Sequence, residues 1–235
     1  MNFSNLFFLI LFFVNVSFAQ NSKKTSTIIY KISTNNNVED LDLETSIKNR
    51  IKAINKASDL IECKLHFNVN ESVFYQEKKM SLNNDQSYKL ASIVIRGLYY
   101  SNIKDSLKIL NKNFSDVNFN VIIPFNKHRW QITNETKEIG GYKCFKANKI
   151  VSKSNIIAWF TNQIPVPFGP NGIDGLPGLI LETTINEKLT FYATQINFNE
   201  TEVKFLEKPK ANKTITEEDF LKMASNKMAD FFNEN

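Results

Sequence analysis

Between Ile61 and Asn70 apolar and polar side chains alternate without a break: Ile61, Cys63, Leu65, Phe67 and Val69 against Glu62, Lys64, His66, Asn68 and Asn70. Successive side chains of an extended strand point to opposite faces, so this segment reads as a strand with one buried face and one wet face. A helix would scatter the same residues round its whole circumference. The pattern puts Cys63 inward and His66 outward, at the surface.

The same period of two returns at Thr27–Ser33, where Ile28, Tyr30 and Ile32 share a face. Further extended candidates are Val73–Glu77, Ser92–Tyr100, Ser106–Leu110, Asn118–Ile123, Trp130–Thr133, Tyr142–Ile150, Ile156–Thr161, Leu179–Ile185, Leu189–Asn197 and Glu202–Leu206. Short strands with polar connections imply an antiparallel meander, and Asn186 with Glu187 suits a hairpin turn. Two segments break the rule. Leu43, Ile47, Ile51 and Ile54 recur at helical spacing in a helix ending near Ser58. Thr216 followed by Asp219 resembles a capping box, with Asp in place of Glu, ahead of Phe220, Met223, Ala224 and Phe231 at helical spacing. The segment Lys208–Lys213 reads as a short linker. The expected fold is α+β: a mainly antiparallel, curved, half-barrel-like sheet with an amphipathic helix early in the chain and a C-terminal helix packed on it.

The first twenty residues contain no Lys, Arg, Asp or Glu. An apolar run from Leu6 to Val14, then Ser17 and Ala19, fits an export signal over residues 1–19 with a cut before Gln20. The run is shorter than the roughly 18 residues a membrane span needs. No integral span is expected in the rest, which reads as a single domain over residues 20–235 in the periplasm or outer envelope.

Export bears on charge and cysteine chemistry. The net charge is +5, but Arg50, Arg96 and Arg129 are the sole arginines and the lysines are spread along the chain. That argues against nucleic acid as a partner, and no stretch has the dense cationic cluster typical of binding to anionic lipid. In an oxidising compartment Cys63 and Cys144 either pair, closing a loop of ~80 residues worth roughly 4 kcal/mol, or remain buried thiols. A nucleophilic cysteine is not supported, because His66 falls on the opposite strand face from Cys63.

One loop stands apart. Ile164–Glu182, IPVPFGPNGIDGLPGLILE, collects four of the six Pro and four of the seven Gly. Pro177–Gly178 suits a type II turn, and Asn171–Gly172 and Asp174–Gly175 suit tight turns. Phe168, Ile173, Leu176 and Leu179 between these bends either tuck under the loop or offer an apolar surface to a partner.

With Ile132–Ala147 (ITNETKEIGGYKCFKA) and Ala158–Pro170 (AWFTNQIPVPFGP), this loop resembles the GLPGLI family of exported Bacteroidetes proteins, named for the residues standing at Gly175–Ile180. Glu135 with Lys137, Gly141 with Tyr142, Ala158 with Trp159, Pro165, and Gly169 with Pro170 occur in the family's order. Phe160 stands where members more often carry Tyr. The resemblance implies export and an envelope location, and carries no catalytic residues. The strand order is also similar to periplasmic lipoprotein-carrier half-barrels, which shelter acyl chains.

These readings point to a binding module for an apolar ligand such as a lipid, lipopeptide or peptide segment. Its ligand or partner surface would comprise Trp159, Phe160, Pro165, Phe168, Gly175, Leu176, Pro177, Gly178 and Leu179. The alternative is an assembly protein of the outer membrane that docks an envelope protein through the loop. Catalysis is not expected, since Glu182, Glu135, His128 and Asp174 share no motif spacing. No cofactor is indicated, and two His and two Cys without ligand spacing indicate no metal.

Overall fold

The computed structural model describes residues 25–35, 38–39, 42–95, 97–124, 129–151, 154–200 and 206–233. The expected export signal, His128, Arg96 and all of the expected strand Glu202–Leu206 but its last residue lie outside them.

The alternating segments form strands β1 (Thr25–Thr34), β2 (Glu62–Phe67), β3 (Glu71–Gln76), β4 (Leu98–Asn102), β5 (Leu107–Phe114), β6 (Val117–Pro124), β7 (Gln131–Ile139), β8 (Tyr142–Val151), β9 (Ser154–Thr161), β10 (Leu179–Ile185), β11 (Leu189–Glu200) and β12 (Lys213–Thr216). Helices α1 (Thr45–Ser58), α2 (Gln86–Ser92) and α3 (Glu217–Asn233) accompany them. All twelve strands join one sheet in the order β12-β6-β5-β4-β3-β2-β1-β11-β10-β9-β8-β7. Two antiparallel meanders, β1 to β6 and β7 to β11, therefore run outward from a central β1–β11 pair. Tyr30 at this seam lies opposite Cys63 on one side and Ala193 on the other. Register slips between Ile29 and Tyr30, Ile180 and Glu182, and Ile132 and Thr136 mark bulges, which sharpen twist and help an open sheet curl. Asn186 and Glu187 both take positive φ in the β10–β11 hairpin, as expected.

Alternation carries Ile28, Tyr30, Ile32, Cys63, Leu65, Phe67, Phe74, Leu110, Val121 and Phe191 into the principal core. The opposite face is covered as well. Val73, Tyr100 and Ile109 form one further cluster, and Ala147, Ala158, Phe160, Ile173, Leu176 and Ile180 another. His66 is corrected by this second layer. It is 6% exposed, with Nδ1 2.8 Å from Thr27 Oγ1 and Nε2 3.0 Å from the Tyr75 hydroxyl.

Helix α3 starts at the expected cap, where the Asp219 amide donates to Thr216 Oγ1 at 3.1 Å and that hydroxyl donates to Asp219 Oδ2 at 2.7 Å. Phe220 then lodges edge-on between Phe114 and Phe119, at 5.6 and 5.7 Å. Helix α1 docks by its C-terminal end, Ala57 and Ser58, while Ile47 stays exposed.

Two local expectations are revised. The strand expected over Ser92–Tyr100 starts only at Leu98, because Asp85 caps α2 by accepting from the Tyr88 amide and Tyr88 and Ala91 are buried one turn apart. The Lys208–Lys213 linker leads into β12, which pairs in parallel with β6. Asparagines hold it: Asn120 Nδ2 donates to the Pro209 carbonyl at 2.7 Å, and the Asn118 amide donates to Asn212 Oδ1 at 3.2 Å.

The disulfide allowed between Cys63 and Cys144 is not formed, and both are buried thiols. Four strands stand between β2 and β8 in the sheet, at ~4.8 Å per step, whereas bridged cysteines need Cα atoms within about 7 Å.

Candidate functional site

A cleft of about 740 Å³ opens on the side of the β2–β6 meander that alternates with the principal core. Val73, Ile95 and Leu98 are its apolar lining, Tyr75 supplies a flat ring, and Asn111, Asn113 and Asn118 supply amides. Gly97 enters it with φ +150°, and a Cβ there would stand 2.4 Å from the Asn111 carbonyl, so a side chain would force β4 and β5 apart. The amides orient one another. Asn111 Nδ2 donates to the Oδ1 atoms of Asn118 and Asn120, each at 2.8 Å, and Asn118 Nδ2 donates to Asn113 Oδ1 at 2.7 Å.

Lys64 and Glu77 stand on the same lining as a 2.7 Å ion pair. The Tyr75 hydroxyl lies against His66, and the two rings tilt together with centroids 5.6 Å apart. Burial, aided by the Glu77 charge, pushes the Tyr75 phenol above its ordinary pKa, so it stays a protonated hydroxyl at neutral pH. A ring that stacks, an apolar patch and amides able both to donate and to accept suit a hydroxyl-rich cyclic ligand. Among the described residues no three metal-ligating side chains converge.

The surface expected around the Gly- and Pro-rich loop is mostly interior. Phe160, Phe168, Leu176 and Leu179 are buried, while Pro165 and Pro177 remain exposed. Phe168 packs into the principal core and Leu176 against Phe160, so the loop is structural. Asn171 and Gly172 take positive φ, as does Gly175. Gly178 does not, and close approach is what demands it: a Cβ there would lie 2.1 Å from the Thr161 carbonyl oxygen. Trp159 is half-buried, with the Lys137 ammonium 4.5 Å from its ring centre.

The carboxylates weighed for catalysis are dispersed, each on its own lysine. Glu182 pairs with Lys137 at 2.7 Å, Glu135 with Lys146 at 2.9 Å and Asp174 with Lys108 at 2.7 Å. Burial pushes the Cys63 thiol up, reinforced by Glu62, and Cys144 up to about 11, so neither offers a thiolate.

The Lys108–Asp174 pair is nearly buried, at 4% and 7% exposure. Lys108 also donates to the Gly172 carbonyl, and the Trp130 indole N–H donates to the Asp174 carbonyl at 2.9 Å. Lys149, 5% exposed, holds its ammonium 5.1 Å from the Trp130 ring centre.

The family model described as N-glycanase peptide, N-terminal domain, matches residues 109–222. Two solved structures share the architecture. The structure of PNGF-II in space group C2 is 20% identical, with a TM-score of 0.55 over 82% of this chain and 31% of that chain. The structure of PNGF-II in space group P21 is 19% identical, with a TM-score of 0.57 over 85% and 33%. The chain resembles PNGF-II in fold. It spans about a third of the length of those proteins. No curated protein matches it in sequence.

These matches correct the GLPGLI resemblance and the fainter likeness to lipoprotein carriers, since the family that fits residues 109–222 is that of an N-glycanase peptide. They overturn as well the reading of a non-enzymatic module for an apolar ligand or an outer-membrane docking partner. Sequence reasoning missed the cleft because Asn111, Asn113 and Asn118 look like ordinary surface asparagines until β5 and β6 align them. Their one signal was the density of Asn between 111 and 120.

Proposed function

We propose that this chain is a glycan-handling domain of the N-glycanase type, serving the release of N-linked glycans from peptides, and that the cleft at Tyr75 receives the saccharide. The observation that carries the reading is the ordered amide row beside an aromatic ring, with Asn111, Asn113 and Asn118 inside the matched span 109–222. Pyranose rings present hydroxyls at their edges and C–H groups on their faces. Amides answer the first and Tyr75 with Leu98 the second. Export through residues 1–19 belongs to the same proposal and is checked by N-terminal sequencing of the mature protein.

The test pairs binding with turnover. Calorimetry with a defined N-glycopeptide should give saturable binding, weakened at least tenfold in Asn111→Ala/Asn118→Ala with its circular dichroism unchanged. Mass spectrometry of the same mixture reads glycan release. Neither binding nor release from any N-glycopeptide class would sink the proposal.

A further inference from the structure

Strands β5 and β8 are separated by seven others in the sheet order, yet Lys108 of β5 pairs with the loop residue Asp174 at 2.7 Å, and Lys149 of β8 packs on Trp130, whose indole N–H donates to the carbonyl of the same residue. The Ile164–Leu179 connection thus bridges the two meanders across the curl of an open sheet. Asn171 Nδ2 donates to the Val94 carbonyl at 3.3 Å, and Gly172 lies so close on the Tyr99 ring that a Cβ would meet it at 2.3 Å. On the far side Trp130 holds the Asp174 carbonyl.

Among the described residues the charges at this junction do not balance. Two buried ammonium groups face one buried carboxylate, and the carboxylate is committed to Lys108 at 2.7 Å. Lys149 is left with the π face of Trp130. The titratable groups acting on it are Lys108 on β5, which repels its charge, and Asp174 in the loop, which attracts it.

We infer that this cluster is a proton-controlled clasp: with Lys149 neutral the loop is held to both meanders, and protonation of Lys149 loosens that hold. A neutral Lys149 leaves the Lys108–Asp174 pair as a balanced unit. A protonated one adds a buried charge without a counter-ion, and hydration of that charge requires the loop to lift. Burial first, then Lys108, brings the Lys149 amine down to about 8, so the change falls where a modest pH shift alters its charge.

The Trp130 indole N–H, bonded to the loop, is the reporter. In ¹⁵N NMR of the full chain its resonance should titrate with a midpoint near 8, and this titration should vanish in Lys149→Met. Amide exchange at Gly175, corrected for the intrinsic pH dependence, should report about tenfold more loop opening at pH 7 than at pH 9. Should Lys149→Met not fold, Lys149→Gln makes the comparison, and the wild-type titration decides by itself. An indole resonance flat from pH 6.5 to 9.5, a titration surviving both substitutions, or loop exchange independent of pH would each overturn the clasp.

Discussion

Lys108 Nζ lies 2.7 Å from Asp174 Oδ2, a buried ion pair joining β5 to the loop that leaves the sheet from β9, seven strands along from β5. Removing one partner of such a pair strands the other charge out of water. Asp174→Asn should cost about 3–5 kcal/mol in urea denaturation, whereas the double change Lys108→Met/Asp174→Leu should cost far less. Equal losses in the two proteins would refute the pairing.

Lys149 sets a second expectation, with a definite sign. Its folded pKa of about 8 lies below that of an ordinary lysine, so between about pH 8 and 10.4 the unfolded chain binds the extra proton. Stability from this group therefore rises with pH across that window and is lowest, and flat, below it. Lys149→Met should raise stability at pH 7 by on the order of 2 kcal/mol, and the gain should shrink toward pH 10. Thermal melts at pH 7, 8.5 and 10 read both features.

Gly178 packs where a Cβ would stand 2.1 Å from the Thr161 carbonyl oxygen, a backbone atom that cannot swing aside. Gly178→Ala should therefore destabilise by roughly 3 kcal/mol or more, as overpacking does at its upper end. Gly141, with nothing within 4 Å of its added Cβ, meets no such wall. The strain there is in φ alone, and Gly141→Ala should cost only about 1–2 kcal/mol. Chemical denaturation that ranked them the other way would contradict the packing.

In the cleft, ring and hydroxyl of Tyr75 should separate. Tyr75→Phe keeps the stacking surface and loses the bond to His66 at 3.0 Å, and should weaken glycopeptide binding about threefold. Tyr75→Ala removes both and should weaken it at least tenfold. Calorimetry on the two variants checks the order.

Much of the fold was legible. The alternation through Cys63, Leu65 and Phe67 located β2 and its inward face, and the Thr216–Asp219 pair located the start of α3, because both depend on neighbours in the chain. His66 was misread because alternation says which face a side chain takes, not whether that face is covered. Helix α2 was missed because its signal, Asp85 as a cap, is a single residue. The cleft was least legible of all: its lining comes from β2, β3, β4, β5 and β6, and no local spacing joins them.

The sequence by itself determined the strands, the two flanking helices and the turn-rich character of residues 164–182, because period, capping and the φ demands of Gly and Pro act over a few residues. Tertiary structure alone decided that β1 and β11 meet at the seam, that Asp174 pairs with Lys108 and is bonded by the Trp130 on which Lys149 packs, that the loop's apolar side chains are buried rather than displayed, and that asparagines of β5 and β6 line a cleft. Those outcomes depend on the order in which strands pair and on how far the sheet curls, and pairing between distant segments leaves no periodic mark on either one.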